Sequence, residues 1–267
     1  MKSFKLVASS TARKIQFVLT DIDDTLTTSG RLPAVALLAM ERLCAANIHV
    51  VPITGRPAGW CDHIARMWPV NGVVGENGAF YFYYDDEHKK MIRRYWKTET
   101  ERRQDREKLQ VIQDRVIADV PGCRVSADQP YREADLAVDF CEDVPLLPDR
   151  DIEKIVHIFR QAGATAKISS IHVNGWFGDY DKLSMTRLLF REIFQTELDH
   201  VKETVVYVGD SPNDVPMFDF FHNAVGVANV ARFTGKMASE PTWITGEAGG
   251  EGFAEMVEDL LLKRRKN

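Results

Sequence analysis

Three short apolar runs of this chain stop abruptly at polar clusters: KIQFVLT (14–20) at DIDDT, IHVVPIT (48–54) at GR, and ETVVYVG (203–209) at DSPND. Runs of that length with few polar breaks suit strands buried on both faces. Between the first two lies PAVALLAMERLCAAN (33–47), with apolar residues at helical spacing, proline in the first turn and Asn47 as a stop. RPAGWCDHIARMW (56–68) reads as a second helix and NGVVGE (71–76) as a further strand. Strand, helix, strand, helix, strand in immediate succession predicts an α/β fold, a parallel sheet wrapped by helices. The same texture returns late, with a helix over 182–196, the strand 203–209, a short helix over 215–222, a strand over 224–228 and a last helix in GFAEMVEDLLLK.

The middle of the chain differs. FYFYYDDEHKKMIRRYW (80–96) reads as two strands around an acidic turn, and residues 98–120 as a charged amphipathic helix. CRVS (123–126) and DLAVDF (135–140) read as strands, 148–163 as a helix ending at glycine, and 165–176 as a closing hairpin. This is an antiparallel α+β unit set into the parallel one. The expected division is a core of residues 1–83 and 180–267 and an inserted domain of residues 84–179; 267 residues are enough for both.

Net charge is −5, which gives no electrostatic reason to expect nucleic acid or an anionic membrane as partner. Cys44, Cys61, Cys123 and Cys141 form no CxxC pair, which argues against a zinc site or a disulfide framework and suits a reducing cytoplasm. No stretch approaches the ~20 apolar residues of a membrane span, and MKSFKLVASSTARK lacks the apolar run of a signal peptide. The basic end KRRK (263–266) reads as a solvated tail. These features suggest a cytoplasmic protein, a monomer or homodimer, acting on a small molecule.

The strand ends carry the chemistry, because sites in open α/β sheets lie beyond the carboxyl ends of the strands. Asp21, Asp23 and Asp24 crowd together after the first strand. Side chains alternate along extended backbone, so Asp21 and Asp23 face one way and Asp24 another. If Asp210 converges on them, the pocket is unstable alone and a hard cation such as Mg²⁺ relieves it through oxygen ligands. The letters argue against a calcium loop: counted from Asp21, the positions that need glycine and glutamate hold Leu26 and Leu32. A solvated turn explains Asp21 to Asp24 but not three such strand ends.

The order DIDDT, ITGR, the lysine of DYDKLSM and GDSPND resembles the four motifs of the haloacid dehalogenase superfamily. The resemblance covers roughly 15–83 and 180–260, and the insertion falls where that superfamily places a C2 cap, with a rhythm similar to the type IIB cap of sucrose-phosphate and mannosyl-phosphoglycerate phosphatases. It implies a Rossmann-like doubly wound core with an α+β cap. It also implies a Mg²⁺-dependent phosphatase acting on a sugar phosphate or phosphoglycerate-type ester. Asp21 is then the nucleophile, Asp23 the acid/base, and Thr54 and Lys182 the phosphoryl ligands. Mg²⁺ is held by Asp21, Asp23 through its carbonyl, and Asp210. Gly55, Asn213 and Asp214 shape the phosphate loop, with Asp214 on Lys182 or a metal-bound water. A phosphomutase of phosphomannomutase type shares the first motif, a non-catalytic metabolite sensor shares the fold, and the trehalose phosphatases differ in the fourth motif.

Plainer roles stand beside these. Thr54 and Asp214 suit helix N-caps, Ser211 a turn, and Trp60, Trp68 and Trp176 packing. A lysine at a helix start opposes the helix dipole, which favours a functional role for Lys182. Toward the substrate, Arg56 comes directly after the second motif. Arg132 precedes a cap strand, where the resemblance implies contact with an anionic or hydroxylated group. His172 and Asn174 share one face of the last cap strand, turned to substrate or to solvent. GENGA (75–79), with Glu76 and Asn77, reads as the hinge into the cap.

Overall fold

The buried strands alternate their side chains between two helical layers. Val18, Val206 and Val208 join one cluster with Met40, Leu43, Phe253 and Met256 of helices Ala34–Ala45 and Gly249–Arg265. Phe17, Leu19, Val205 and Tyr207 join another with Met185, Leu189 and Phe190 of helix Lys182–Ile193. Burial on both faces explains why these strands are apolar at every position rather than at alternate ones.

The computed structural model describes residues 1–265. Six parallel strands lie in the order Lys2–Ser3, Trp243–Ile244, Ala224–Gly226, Val205–Gly209, Phe17–Thr20, His49–Pro52. One parallel bridge, Ile53 to Val74, joins the last of these to strand Val73–Gly75. From Phe17–Thr20 the chain first builds toward one edge and later returns to build toward the other. The strand order therefore reverses between Phe17–Thr20 and Val205–Gly209, where a doubly wound sheet opens its crevice.

The inserted unit has its own core. Its antiparallel strands lie in the order Arg124–Val125, Asp135–Asp139, His172–Trp176, Thr165–Ile168. Helices Glu99–Asp119 and Asp149–Gln161 cover one face through Leu109, Ile112, Val116, Ile155 and Phe159 packed on Leu136, Val138 and Val173. Thr98 caps the long helix in a reciprocal box, its hydroxyl accepting from the Glu101 N–H and the Glu101 carboxylate accepting from the Thr98 N–H. The uncovered face, with His172, Asn174 and Asp135, turns toward the core.

Some expectations change. The hairpin Phe80–Asp85 and Lys90–Tyr95 pairs with Val73–Gly75 and not with the cap sheet. Phe80 and Phe82 stack at 4.2 Å and Tyr95 meets both edge-on, within the main core cluster. A boundary at 84 cuts this hairpin; the chain enters the cap near Thr98. Strands Lys2–Ser3 and Trp243–Ile244 and helix Ser9–Lys14 were not expected, because two-residue strands carry no periodicity. The basic end is no solvated tail as far as it is described. The last helix runs to Arg265, and Arg264 donates to the carbonyls of Ala12 and Ile15; Lys266 lies outside the described residues. Among the described residues no helix is long and apolar enough to cross a membrane.

Candidate active site

Strands Val205–Gly209, Phe17–Thr20 and His49–Pro52 are neighbours in the sheet, so the segments leaving their carboxyl ends meet at one place. The Asp21 N–H makes the last rung, donating to Val208 O at 2.9 Å, and its carboxylate ends up buried at the crevice. Lys182, the first residue of its helix, reaches across. Its ammonium donates to Asp21 Oδ1 at 2.8 Å and to Asp214 Oδ1 at 2.9 Å. Asp181 caps that helix by accepting from the Ser184 N–H at 2.7 Å. The lysine is therefore held at the end where the helix dipole disfavours a cation, and two carboxylates offset that cost.

One oxygen from each of Asp21, Asp210 and Asp214 lies within 4.8 Å of the others. Burial pushes Asp21 up to about 7, opposed by Lys182 and reinforced by Asp214 and Asp23. Burial also raises Asp210 well above the ordinary carboxylate range, with Asp214 and Asp21 adding to it. Burial by itself would lower Lys182, but Asp21 and Asp214 outweigh it and the ammonium is held above its usual value. Three crowded carboxylates with one buried ammonium between them are a hard-oxygen donor set that fits a divalent cation such as Mg²⁺.

Several expected residues take different positions. The Asp23 carboxylate is outside the acidic cluster; it accepts from Arg56 Nε at 3.0 Å and Nη2 at 2.8 Å. The Thr54 hydroxyl accepts from the Arg56 N–H at 3.0 Å, and it is Gly55 that lines the cavity. Asp214 is fully buried and holds Lys182 directly, while Asn213 Oδ1 accepts from the Ser211 hydroxyl at the cavity wall. Asp24 takes a left-handed backbone (φ 54°) and its carbonyl accepts from Asn229.

The cap residues are all buried and engaged, so the solvent-facing alternative for His172 and Asn174 is ruled out. Arg132 donates to Asp128, to Asp135 and to Gly55 O at 2.9 Å, a cap side chain gripping the core loop. Asn174 Nδ2 donates to Asp135 at 3.0 Å, and His172 Nε2 lies 2.9 Å from Glu142. GENGA is an anchor rather than a hinge. The buried Glu76 carboxylate accepts from the backbone N–H groups of Ala58, Glu133, Ala134 and Asp135, tying the cap segment to the core. The cavity between cap and core measures about 20 Å³, room for a water molecule or two.

Sequence reasoning missed four participants. The Tyr207 hydroxyl donates to Asp214 Oδ1 at 2.6 Å; a lone hydroxyl in the aliphatic run VVYVG was the available signal. Asn229 donates to Asp210 Oδ2 at 3.0 Å. Glu142 accepts from Arg56 at 3.0 Å, and Asp128 lies 3.5 Å from it. Glu142 comes just after the cap strand Asp135–Asp139, so the strand-end rule applied to the cap would have found it.

Residues 18–104 match the family of haloacid dehalogenase-like hydrolases. No curated protein sequence matches the chain. Among solved structures, a Thermoplasma acidophilum protein, 0175, is similar at 17% identity and a TM-score of 0.69, over 93% of this chain and 99% of that one. BT1666 from Bacteroides thetaiotaomicron, described among the phosphatases of this superfamily, is similar at 17% identity and 0.60, over 97% and 98%. The subclass IIB sugar phosphatase BT4131 is similar at 12% identity and 0.62, over 92% and 98%. The matched segment takes in the first two strand ends, and the fold is shared with these structures over more than nine-tenths of the chain.

Proposed function

We propose that this protein is a Mg²⁺-dependent phosphatase that cleaves the phosphate ester of a small metabolite, a sugar phosphate or phosphoglycerate-type ester, through an aspartyl-phosphate on Asp21. The observation that carries this reading is the placement of the Asp21 carboxylate at the switch point of the sheet, 2.8 Å from the Lys182 ammonium and beside Asp210 and Asp214.

An Asp21 oxygen attacks phosphorus, and the bond from phosphorus to the ester oxygen breaks. Asp23 supplies a proton to the departing alkoxide, then takes one from the water that hydrolyses the acyl-phosphate and returns Asp21 as carboxylate. For this Asp23 must share or shed its contact with Arg56. Lys182 donates to the phosphoryl oxygens and Asp214 keeps it aimed. The Thr54 hydroxyl accepts from the Arg56 N–H and keeps its own proton to donate to phosphate. Asp21, Asp210 and the Asp23 carbonyl would hold Mg²⁺, which when bound neutralises charge between the attacking carboxylate and the anionic phosphate.

The experiment is phosphate release from a panel of phosphorylated metabolites with and without Mg²⁺. Asp21→Asn should release none, because an amide cannot form the acyl-phosphate; wild-type-like turnover by that variant would sink the nucleophile assignment.

A further inference from the structure

Helices Ala34–Ala45 and Gly249–Arg265 lie side by side on the outside of the core and run the same way. Val35 and Leu38 share one shallow groove with Glu251, Glu255 and Glu258; Ala45 and Ala46 share the next with Leu261, Arg264 and Arg265. Arg42 lines both. The outward stripes follow helical spacing, at 35, 38 and 42 on the first helix and 251, 255, 258, 262 and 265 on the second. Val35, Leu38 and Leu262 are 46, 54 and 48% exposed, so the apolar part of this face is bare.

The charges on the face are sorted. Glu251, Glu255 and Glu258 occupy the first part of the last helix and Arg264 and Arg265 its end. Some are engaged within the chain: Glu251 accepts from the Thr28 hydroxyl, Glu255 pairs with Lys5, and Arg264 turns back to the carbonyls of Ala12 and Ile15. Arg42, Glu258 and Arg265 make no side-chain hydrogen bond or ion pair among the described residues.

At 1.5 Å per residue, Glu251 and Arg265 stand about 20 Å apart along the helix with Glu258 midway. Leu38 lies about one turn to one side of Glu258 and Leu262 about one turn to the other. A second copy laid antiparallel about a two-fold axis beside Glu258 therefore sets Glu258 against Arg42, Leu38 against Leu262 and Glu251 against Arg265, each contact occurring twice. Laid parallel, the same faces bring acid onto acid. A face 17 residues of helix long and two helices wide measures roughly 25 by 20 Å, about 500 Å² per copy and the low end for a specific interface.

We infer that this protein forms a closed, weak homodimer through the outer face of helices Ala34–Ala45 and Gly249–Arg265, in an antiparallel register set by Glu258 against Arg42 and Glu251 against Arg265 of the second copy.

Sedimentation equilibrium of the full chain over roughly 5–500 μM tests this. A monomer–dimer equilibrium with a dissociation constant on the order of 10–100 μM is expected, weakening about fivefold between about 50 mM and 500 mM salt because the pairs are exposed. Glu258→Arg and Arg42→Glu each place like charges together twice at the axis, and each should weaken self-association about tenfold or more. Mixed, the two variants should dimerise as wild type does, since one copy then carries arginine at both positions and the other glutamate. Circular dichroism melting confirms that both variants are folded before mixing. A wild type that stays monomeric at every concentration, or that grows beyond a dimer, overturns the inference. Single variants that associate like wild type, or a mixture that stays monomeric, overturn the register and with it the dimer as stated.

Discussion

Asp214→Asn isolates the part of the site that is held entirely by hydrogen bonds. Asp214 is fully buried and accepts from four donors: Lys182 Nζ at 2.9 Å, the Tyr207 hydroxyl at 2.6 Å, and the N–H groups of Asp210 at 3.1 Å and Ser211 at 3.4 Å. Asparagine keeps the shape but turns one oxygen into a donor. Facing Lys182 and Tyr207 it opposes two donors, and facing the backbone it opposes two others. It also removes one of the two negative charges that offset the buried ammonium. Breaking a buried ion pair costs about 3–5 kcal/mol, and because Lys182 keeps Asp21 the lower end applies. At about 2–4 °C per kcal/mol for a chain of this size, melting should fall by roughly 6–12 °C. Lys182, released on one side, swings toward Asp21, and the rate of phosphate release should drop about a hundredfold. Thermal melting tracked by circular dichroism gives the first quantity, and initial rates at a temperature where both proteins are folded give the second. Melting unchanged from wild type would refute the energetic argument. Lowered melting with a full rate would show that Lys182 does not depend on Asp214 for its aim.

Mg²⁺ binding should weaken about tenfold per pH unit below about 7, because a cation must then displace the proton that burial holds on Asp21. The same shift sets the sign for stability. In the metal-free fold the raised Asp21 contributes fully below its unfolded value near 4 and loses that contribution as pH rises through about 7. The gain in melting temperature from added Mg²⁺ should therefore grow as pH is raised to about 7, and a gain that shrinks over that range would contradict the assignment. Replacing residues 98–177 by a short linker should leave a core that melts cooperatively. Starting the deletion at 85 should be less stable, since it strips Tyr95 from Phe80 and Phe82; equal stability of the two would place the hairpin outside the core.

The parts of the site that lie just past strands were legible because a strand end is a local signal. Asp21, Thr54 and Asp210 each sit at or directly after the end of an apolar run, and Lys182 stood out by opposing its helix dipole. The direction of Asp23 was not legible. Its partner Arg56 lies 33 positions on and is also held by the cap residue Glu142, 86 positions further along the chain. The cap boundary failed for a related reason: a strand reads the same whichever sheet it joins, and only the packing of Phe80, Phe82 and Tyr95 assigns the hairpin. Arg132 was recognised as a cap residue of interest, but its partners Asp128, Asp135 and Gly55 turn it from a free substrate contact into a clasp.

The anchor at Glu76 has a consequence for how such a protein can change over generations. Its carboxylate grips the N–H groups of residues 133–135, a feature that every amino acid except proline supplies. The Glu76 contact itself does not depend on which side chains that segment carries, whereas a proline there would remove one of its donors.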